Sequence, residues 1–337
     1  MCASSCSPCD VVRENYQTRR ARRIEATSAS EKSNSRIRGD GVRWRDAHSE
    51  FVQGAACLIE DQKTETTWEN TSWDEIRKAA LELATRSVPT LSDEVIEGHI
   101  LEAAAKWDGF YDARGSRFFK DRSYLGRAFS ELCVSGHQQM PRAMEIGCGV
   151  GNSLFPLLEL NPQLFVFALD CSAKAIELLK DRLREEHSDR VRAFVCDISR
   201  EEIPEREIVS SSVDFATMIF TLSAIAPRQM DCALSNVNRK LKVGGLVFFR
   251  DYGLYDMTHV RLFAKKAQNQ LGENFYKRAD GTFSYFFSVP LLRALFEKNG
   301  FETLECDYDA RTLLNRKRKI KMDRVWIQGK FAKVRNV

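Results

Sequence analysis

A chain of 337 residues, 43% of them hydrophobic, has room for one large α/β domain plus an extension. No run of about 18 apolar residues occurs, which excludes a transmembrane helix. The 51 Lys and Arg against 47 Asp and Glu leave a net charge of +4, which fits a polyanionic partner without establishing one, because patches matter more than totals.

Residues 1–47 are polar, charged and Ser-rich, and read as a disordered basic tail. The first ten residues lack the charged-then-apolar pattern of a secretory signal. Residues 11–45 are rich in Arg and Ser like a transit peptide, but Asp10, Glu14 and Glu25 argue against one, since such segments are poor in acids. Arg19, Arg20, Arg22 and Arg23 also suit a nuclear signal or a nucleic-acid-binding arm, with a solvated tail as the plainer reading. The expected compartment is the cytoplasm, with the mitochondrion and the nucleus as alternatives. The ten cysteines are scattered, and Cys148, Cys171 and Cys196 sit in apolar strands, as free thiols in a reducing compartment would. Cys2, Cys6 and Cys9 have the C-x-x-x-C-x-x-C spacing of a three-thiolate iron–sulfur site. They lie at the start of the chain rather than after a barrel strand, and zinc would lack a fourth ligand, so no metal is expected.

Residues 48–135 read as helical. Ser72 and Glu75 form a capping box ahead of Ile76, Ala79, Ala80, Leu83 and Ala84 at helical spacing. A second helix is expected over 92–111, capped by Ser92. From residue 136 onward apolar runs alternate with amphipathic helices. Strands are predicted at 144–146, 164–169, 191–196, 213–220 and 246–250, with helices at 152–160, 172–185, 229–241 and 290–299. Two late strands, 302–308 and 325–331, have no long helix between them. The expected fold is a parallel sheet covered by helices on both faces and ending in an antiparallel pair, the Rossmann-like seven-stranded sheet of class I methyltransferases.

The central motif runs from Glu145 to Asn152, E-I-G-C-G-V-G-N, between a strand and a helix. Its spacing is G-x-G-x-G, not the G-x-G-x-x-G of dinucleotide enzymes. Gly147 and Gly149 allow a tight turn and a close approach to a ligand. Asp170 ends the next strand, where a carboxylate can accept both ribose hydroxyls. Asp197 and Ile198 end the third strand, within reach of an adenine amino group and ring. Each acid alone also reads as a helix cap. The set in this order points to S-adenosyl-L-methionine.

With these residues in view, the chain resembles the tRNA 3-methylcytidine methyltransferases. The resemblance rests on Trp107-Asp108-Gly109-Phe110-Tyr111, Phe118-Phe119-Lys120-Asp121-Arg122, the glycine motif, Ile219 to Ser223, and Phe249 to Asp256. Leu271 to Tyr276, Asp280-Gly281-Thr282 and Ser284 to Phe287 complete it, over roughly residues 68–334. It implies methylation of cytidine 32 in the anticodon loop of threonine, serine or arginine tRNAs. It also implies that Trp107 and Tyr111 close over a cofactor lined by Gly147, Gly149, Asp170, Asp197, Ile198 and Ile219. An aminoacyl-tRNA synthetase or another helper is an implied partner. Ser123-Tyr124 departs from the His-Trp or Lys-Trp usual in the family, which leaves the choice of tRNA open.

N3 of neutral cytosine carries a lone pair and attacks a sulfonium methyl without losing a proton, so positioning should dominate catalysis. The product is cationic, and Asp251 is the candidate carboxylate to face it, against a loop-capping role or a pairing with Arg250. The target base must be unpaired or flipped. Phe118 and Phe119 are candidate RNA contacts for stacking, and Lys120, Arg122, Arg250, Arg261, Lys277 and Arg278 for phosphates. Lys265, Lys266 and the run from Arg316 to Lys319 add charge, the run reading first as a solvated loop. The competing readings are a methyltransferase for a protein or small molecule and a non-catalytic tRNA-binding subunit.

Overall fold

The computed structural model describes residues 92–133, 140–183, 185–264, 269–315 and 320–337. The expectations for the 1–47 tail, for Cys2, Cys6 and Cys9, for the Ser72 helix, for Lys265 and Lys266 and for the run 316–319 lie outside these residues.

Two helices come first, α1 (Asp93–Leu101) and α2 (Ala103–Arg114), followed by the short α3 (Leu125–Ala128). The single helix expected over 92–111 is thus interrupted at Glu102. Ser92 is its N-cap residue, but its backbone carbonyl rather than its hydroxyl accepts the first amide bonds. Next come β1 (Arg142–Ile146), α4 (Leu154–Leu160), β2 (Phe165–Asp170), α5 (Ala173–Arg182), α6 (Glu185–Ser188), β3 (Val191–Val195), β4 (Val213–Ile219), α7 (Met230–Lys240) and β5 (Leu241–Tyr252). Ser172 caps α5 as expected, its Oγ accepting the Ala175 amide at 3.0 Å.

After β5 the chain makes an insertion that the sequence pattern left unassigned. It holds α8 (Met257–Ala264) and a small antiparallel sheet of β6 (Gln270–Gly272), β7 (Phe275–Lys277) and β8 (Phe283–Tyr285). The chain then completes the main sheet through α9 (Val289–Lys298), β9 (Phe301–Asn315) and β10 (Ile320–Lys333). Both late strands are longer than predicted, because their outer halves pair with each other beyond the buried stretch.

The main sheet has seven strands in the order β3-β2-β1-β4-β5-β10-β9. β1 to β5 are parallel, and β10 runs antiparallel to both neighbours. This is the class I S-adenosylmethionine-dependent methyltransferase fold expected above. Strand alternation divides the core. Met144, Ile146, Leu169, Met218 and Phe249 face one layer, where α7 adds Leu234 and Val237 and α9 adds Leu292 and Phe296. Ala143, Val166, Ala168, Phe215 and Phe248 face the other, covered by Leu154, Leu157 and Leu158 of α4 and by Ile176 and Leu179 of α5. The parallel strands are buried on both faces, so they read as near-continuous apolar runs. Their carboxyl ends share one edge, where open α/β sheets bind ligands.

The insertion is tied to the sheet at Asp256. This carboxylate is fully buried, and it accepts from the Arg324 Nε at 2.8 Å, the Val325 amide at 3.0 Å and the Thr258 amide at 2.8 Å. Leu254, Tyr255, Tyr276, Phe286 and Val325 form a small apolar cluster around the same junction. Asp256→Ala strands a guanidinium and two amide donors. We expect it to lower the unfolding free energy by about 3 kcal/mol, measured by urea denaturation.

Candidate active site

Two cavities adjoin at the carboxyl edge of β1, β2, β3 and β4. The first is lined by Trp107, Tyr111, Ile146, Gly147, Leu169, Asp170, Cys171, Cys196, Asp197 and Ile198. The second, about 430 Å³, is lined by Gly147, Cys148, Gly149 and Ile219 together with Lys120, Tyr252, Arg278, Arg324 and Trp326. Every residue the sequence nominated for the cofactor therefore lines one or both cavities.

The glycine loop takes its shape from positive φ angles. Gly147 has φ +65°, and a Cβ there would come within 2.4 Å of the Thr221 side chain. Gly149 has φ +52°, and its Cβ would meet the Tyr111 hydroxyl at 2.5 Å. Both the backbone angle and the space exclude a side chain. Thr221 donates to the Ile146 carbonyl at 2.8 Å, holding β1 and the segment after β4 together beneath the loop.

Asp170 orders the next layer. One carboxylate oxygen accepts the Gly149 amide at 2.8 Å and the other accepts the Ser172 amide at 2.9 Å. A carboxylate has roughly four lone-pair sites, so two remain for ribose hydroxyls. Burial raises the Asp170 pKa, while the two amide donors oppose the shift. At the end of β3, Asp197 accepts the Ser199 amide and hydroxyl through Oδ1, at 3.1 and 2.6 Å. Ile198 is buried beside it. The donor set and the apolar wall fit adenosylmethionine: the loop from Gly147 to Gly149 for the methionyl part, Asp170 for the ribose, and Asp197 with Ile198 for the adenine.

α2 covers the first cavity. Asp108 fixes it there by accepting the Ser172 hydroxyl at 2.7 Å and the Lys174 amide at 3.0 Å, at the positive N-terminal end of α5. Trp107, Phe110, Tyr111, Phe118 and Phe119 form a chain of ring contacts across this lid. Phe118 is half exposed, whereas Phe119 lines the second cavity.

The Phe118 to Arg122 segment is bound to the glycine loop. Asn152 donates to the Phe119 carbonyl at 3.2 Å and to Asp121 at 2.9 Å, and its own carbonyl accepts the Arg122 amide at 2.7 Å. Arg122 reaches inward, donating to Ser153 Oγ at 2.8 Å, and its guanidinium lies 5.6 Å from the centre of the Phe220 ring. Lys120 also lines the second cavity. Arg278 lines it too, and Lys277 contacts His99 at 3.2 Å, while Arg261 is exposed on α8.

Two expectations are corrected. Asp251 does not line either cavity. It is fully buried, accepts the Ser223 and Tyr252 amides at 2.9 Å each, and so anchors the loop after β4 to the end of β5. Burial lifts its pKa to about 6. Arg250 is also buried, bonded to Gln328 at 2.7 Å and to Asp309, so its guanidinium is not presented to RNA. Its partners lie on strands far away in sequence, and no local spacing announces them.

The sequence reading missed Asn152, Phe220, Arg324 and Trp326. Asn152 is the last residue of the glycine motif, and its anchoring role was the most findable. Phe220 lines both cavities with a left-handed backbone, φ +58°, rare outside glycine and frequent at functional sites.

A family model described as a methyltransferase domain matches residues 144–247. O-methyltransferase 3 of Dictyostelium discoideum is 32% identical, covering 88% of this chain and 85% of its own. Human tRNA N(3)-cytidine methyltransferase METTL6 is 42% identical, covering 69% and 81%. The tRNA(Thr) (cytosine(32)-N(3))-methyltransferase of Saccharomyces cerevisiae is 37% identical over 85% of this chain and 46% of its own.

Gly149→Ala adds both a clash with Tyr111 and an unfavourable backbone angle. It should weaken adenosylmethionine binding by about tenfold in calorimetry and lower the unfolding midpoint as well, since the strain is present without ligand. Glu145, at the start of the motif, is fully buried, and burial raises its pKa from 4.5 to about 8 against the opposing charge of Arg122. A carboxyl raised on folding contributes stability below about pH 4.5 and loses it as pH rises toward 8. Thermal unfolding of wild type should therefore decline across that window, and Glu145→Gln should flatten the decline.

Proposed function

The chain belongs to the tRNA N(3)-cytidine methyltransferase family, and on that premise we propose that it transfers the methyl group of S-adenosyl-L-methionine to N3 of cytidine 32 in a tRNA anticodon loop. When bound, adenosylmethionine supplies an electrophilic methyl on a sulfonium. The chain's own residues bind, orient and shield. The loop from Gly147 to Gly149 and Asp170 hold the donor in the crevice, and Trp107 and Tyr111 exclude water above it.

One observation favours a nitrogen acceptor over an oxygen one. The second cavity is lined by Lys120, Arg122, Arg278 and Arg324, and among the described residues no Asp, Glu or His lines it. A hydroxyl acceptor has to lose a proton, which calls for a general base. The lone pair on cytosine N3 needs none. The same excess of positive side chains suits a nucleic acid and disfavours a protein or small apolar substrate. Threonine, serine or arginine tRNAs as substrates, a helper such as an aminoacyl-tRNA synthetase, and the cytoplasm as compartment belong to this reading. The first two rest on the family resemblance and the third on the scattered thiols.

The test is nucleoside mass spectrometry of unmodified tRNA incubated with purified protein and adenosylmethionine. A gain of 3-methylcytidine is expected, and Asp170→Ala should lose it together with adenosylmethionine binding. Methylation of a hydroxyl, or of another base, would refute the assignment.

A further inference from the structure

Part of the lining of the second cavity, which the glycine loop shares, comes from three separate places. Tyr252 ends β5, Arg278 follows β7, and Arg324 and Trp326 lie on β10. Arg278 Nη2 donates to the Tyr252 hydroxyl at 3.2 Å, and its guanidinium lies 5.6 Å from the Tyr252 ring centre. The Arg324 guanidinium lies 5.9 Å from the same ring and 5.2 Å from the Trp326 indole. Two guanidinium groups thus converge on one phenol.

They make few direct hydrogen bonds, although Asp280 and Asp251 act on Arg278 through space. Asp256 takes the Nε of Arg324, leaving that residue's terminal N–H groups uncommitted among the described residues. Among the described residues Arg278 makes one side-chain hydrogen bond, the one to Tyr252, out of five donors. The Trp326 Nε1–H is buried and has no hydrogen-bond partner among them. Like charges held this close to one ring repel, and an oxyanion between them would remove the repulsion and occupy the free donors.

The reaction chemistry decides which part of a nucleotide belongs there. A base methylated at N3 becomes cationic, so guanidinium groups turned toward it would oppose the transition state. A backbone phosphate is anionic throughout, and the arginine fork matches its geometry. We propose that Arg278 and Arg324 clamp a phosphate of the target nucleotide, with Trp326 Nε1–H as a further donor. The base is thereby turned toward the glycine loop. Contacts of this kind set position and register without reading sequence. The inference rests on the reading of the protein as a tRNA methyltransferase.

The experiment uses the full chain and follows KM for tRNA against potassium chloride concentration, alongside adenosylmethionine affinity. Arg278→Ala takes a through-space positive charge from the buried Asp251 but leaves that carboxylate's hydrogen bonds to the Ser223 and Tyr252 amides in place. It should raise KM for tRNA by about tenfold and flatten the slope of log KM against log salt by about one. Arg278→Lys keeps the charge without the fork, so it should raise KM while keeping the slope. Arg324→Lys, which still offers Asp256 a cation, should do the same. Adenosylmethionine affinity should not move in any of them. A loss confined to kcat, with KM and slope unchanged, would place the guanidiniums on the base and overturn the clamp, as would lost adenosylmethionine affinity. If wild type methylates no tRNA, the functional reading fails first. The salt slope of tRNA binding, compared between wild type and Arg278→Ala, still tests the clamp, and equal slopes sink it.

Discussion

A carboxylate held between two backbones organises the cofactor half of this protein. Asp170 ends β2 and accepts one amide from the glycine loop and another from the residue that caps α5. The loop's amides are met one by one, Cys148 by the Leu169 carbonyl of β2 at 3.0 Å, Gly151 by the Cys148 carbonyl at 2.9 Å, and Gly149 by the Asp170 side chain. Asp170 supplies the acceptor and sets how far the loop stands from β2. That distance sets the width of the crevice. The same Ser172 that places α5 also bonds Asp108 of α2, so the lid is registered against the floor through a single turn of chain.

From that floor, order spreads to the segment that faces the acceptor. Asn152 is the joint: it lies in the first turn after the glycine loop and holds the Phe119 to Arg122 segment by two backbone hydrogen bonds and one to the Asp121 carboxylate. Arg182 of α5 supports the arrangement from behind, donating to the Val150 carbonyl at 2.6 Å and pairing with Asp121. Donor and acceptor surfaces therefore share one hydrogen-bonded framework. A displacement of the loop must move the Phe-Phe-Lys-Asp-Arg segment with it.

Charge is divided to match the two tasks. Acids line the first cavity, which includes Asp170 and Asp197 in its wall. Cations concentrate in the acceptor cavity, where no carboxylate among the described residues lines the wall. Asp251 and Asp256 lie close by but are fully buried, each spent on backbone amides that hold the loop after β4 and the insertion in place. Asp256 also pairs with Arg324, and the charge of Asp251 acts on Arg278, so the two acids stand behind the cavity's cations rather than in its wall.

The sequence by itself determined the parallel half of the sheet and the cofactor crevice. Strand-to-helix alternation, a glycine motif and acids at two successive strand ends are all local signals. Each is written within one β–α unit, and parallel topology brings such units to a common edge without further information. The late antiparallel pair was legible for the same reason, from a missing helix. Only the tertiary structure decided the acceptor side. The small sheet over 270–285 is made of three-residue strands, too short for periodicity to register. Arg324 and Trp326 meet Tyr252 and Phe220 across more than seventy residues of chain, through β10 inserting between β5 and β9. Burial decided the fate of Arg250 and Asp251 in the same way: whether a charge in a strand faces a ligand or a distant partner depends on which strand lies beside it, and adjacency is a property of the sheet rather than of the local sequence.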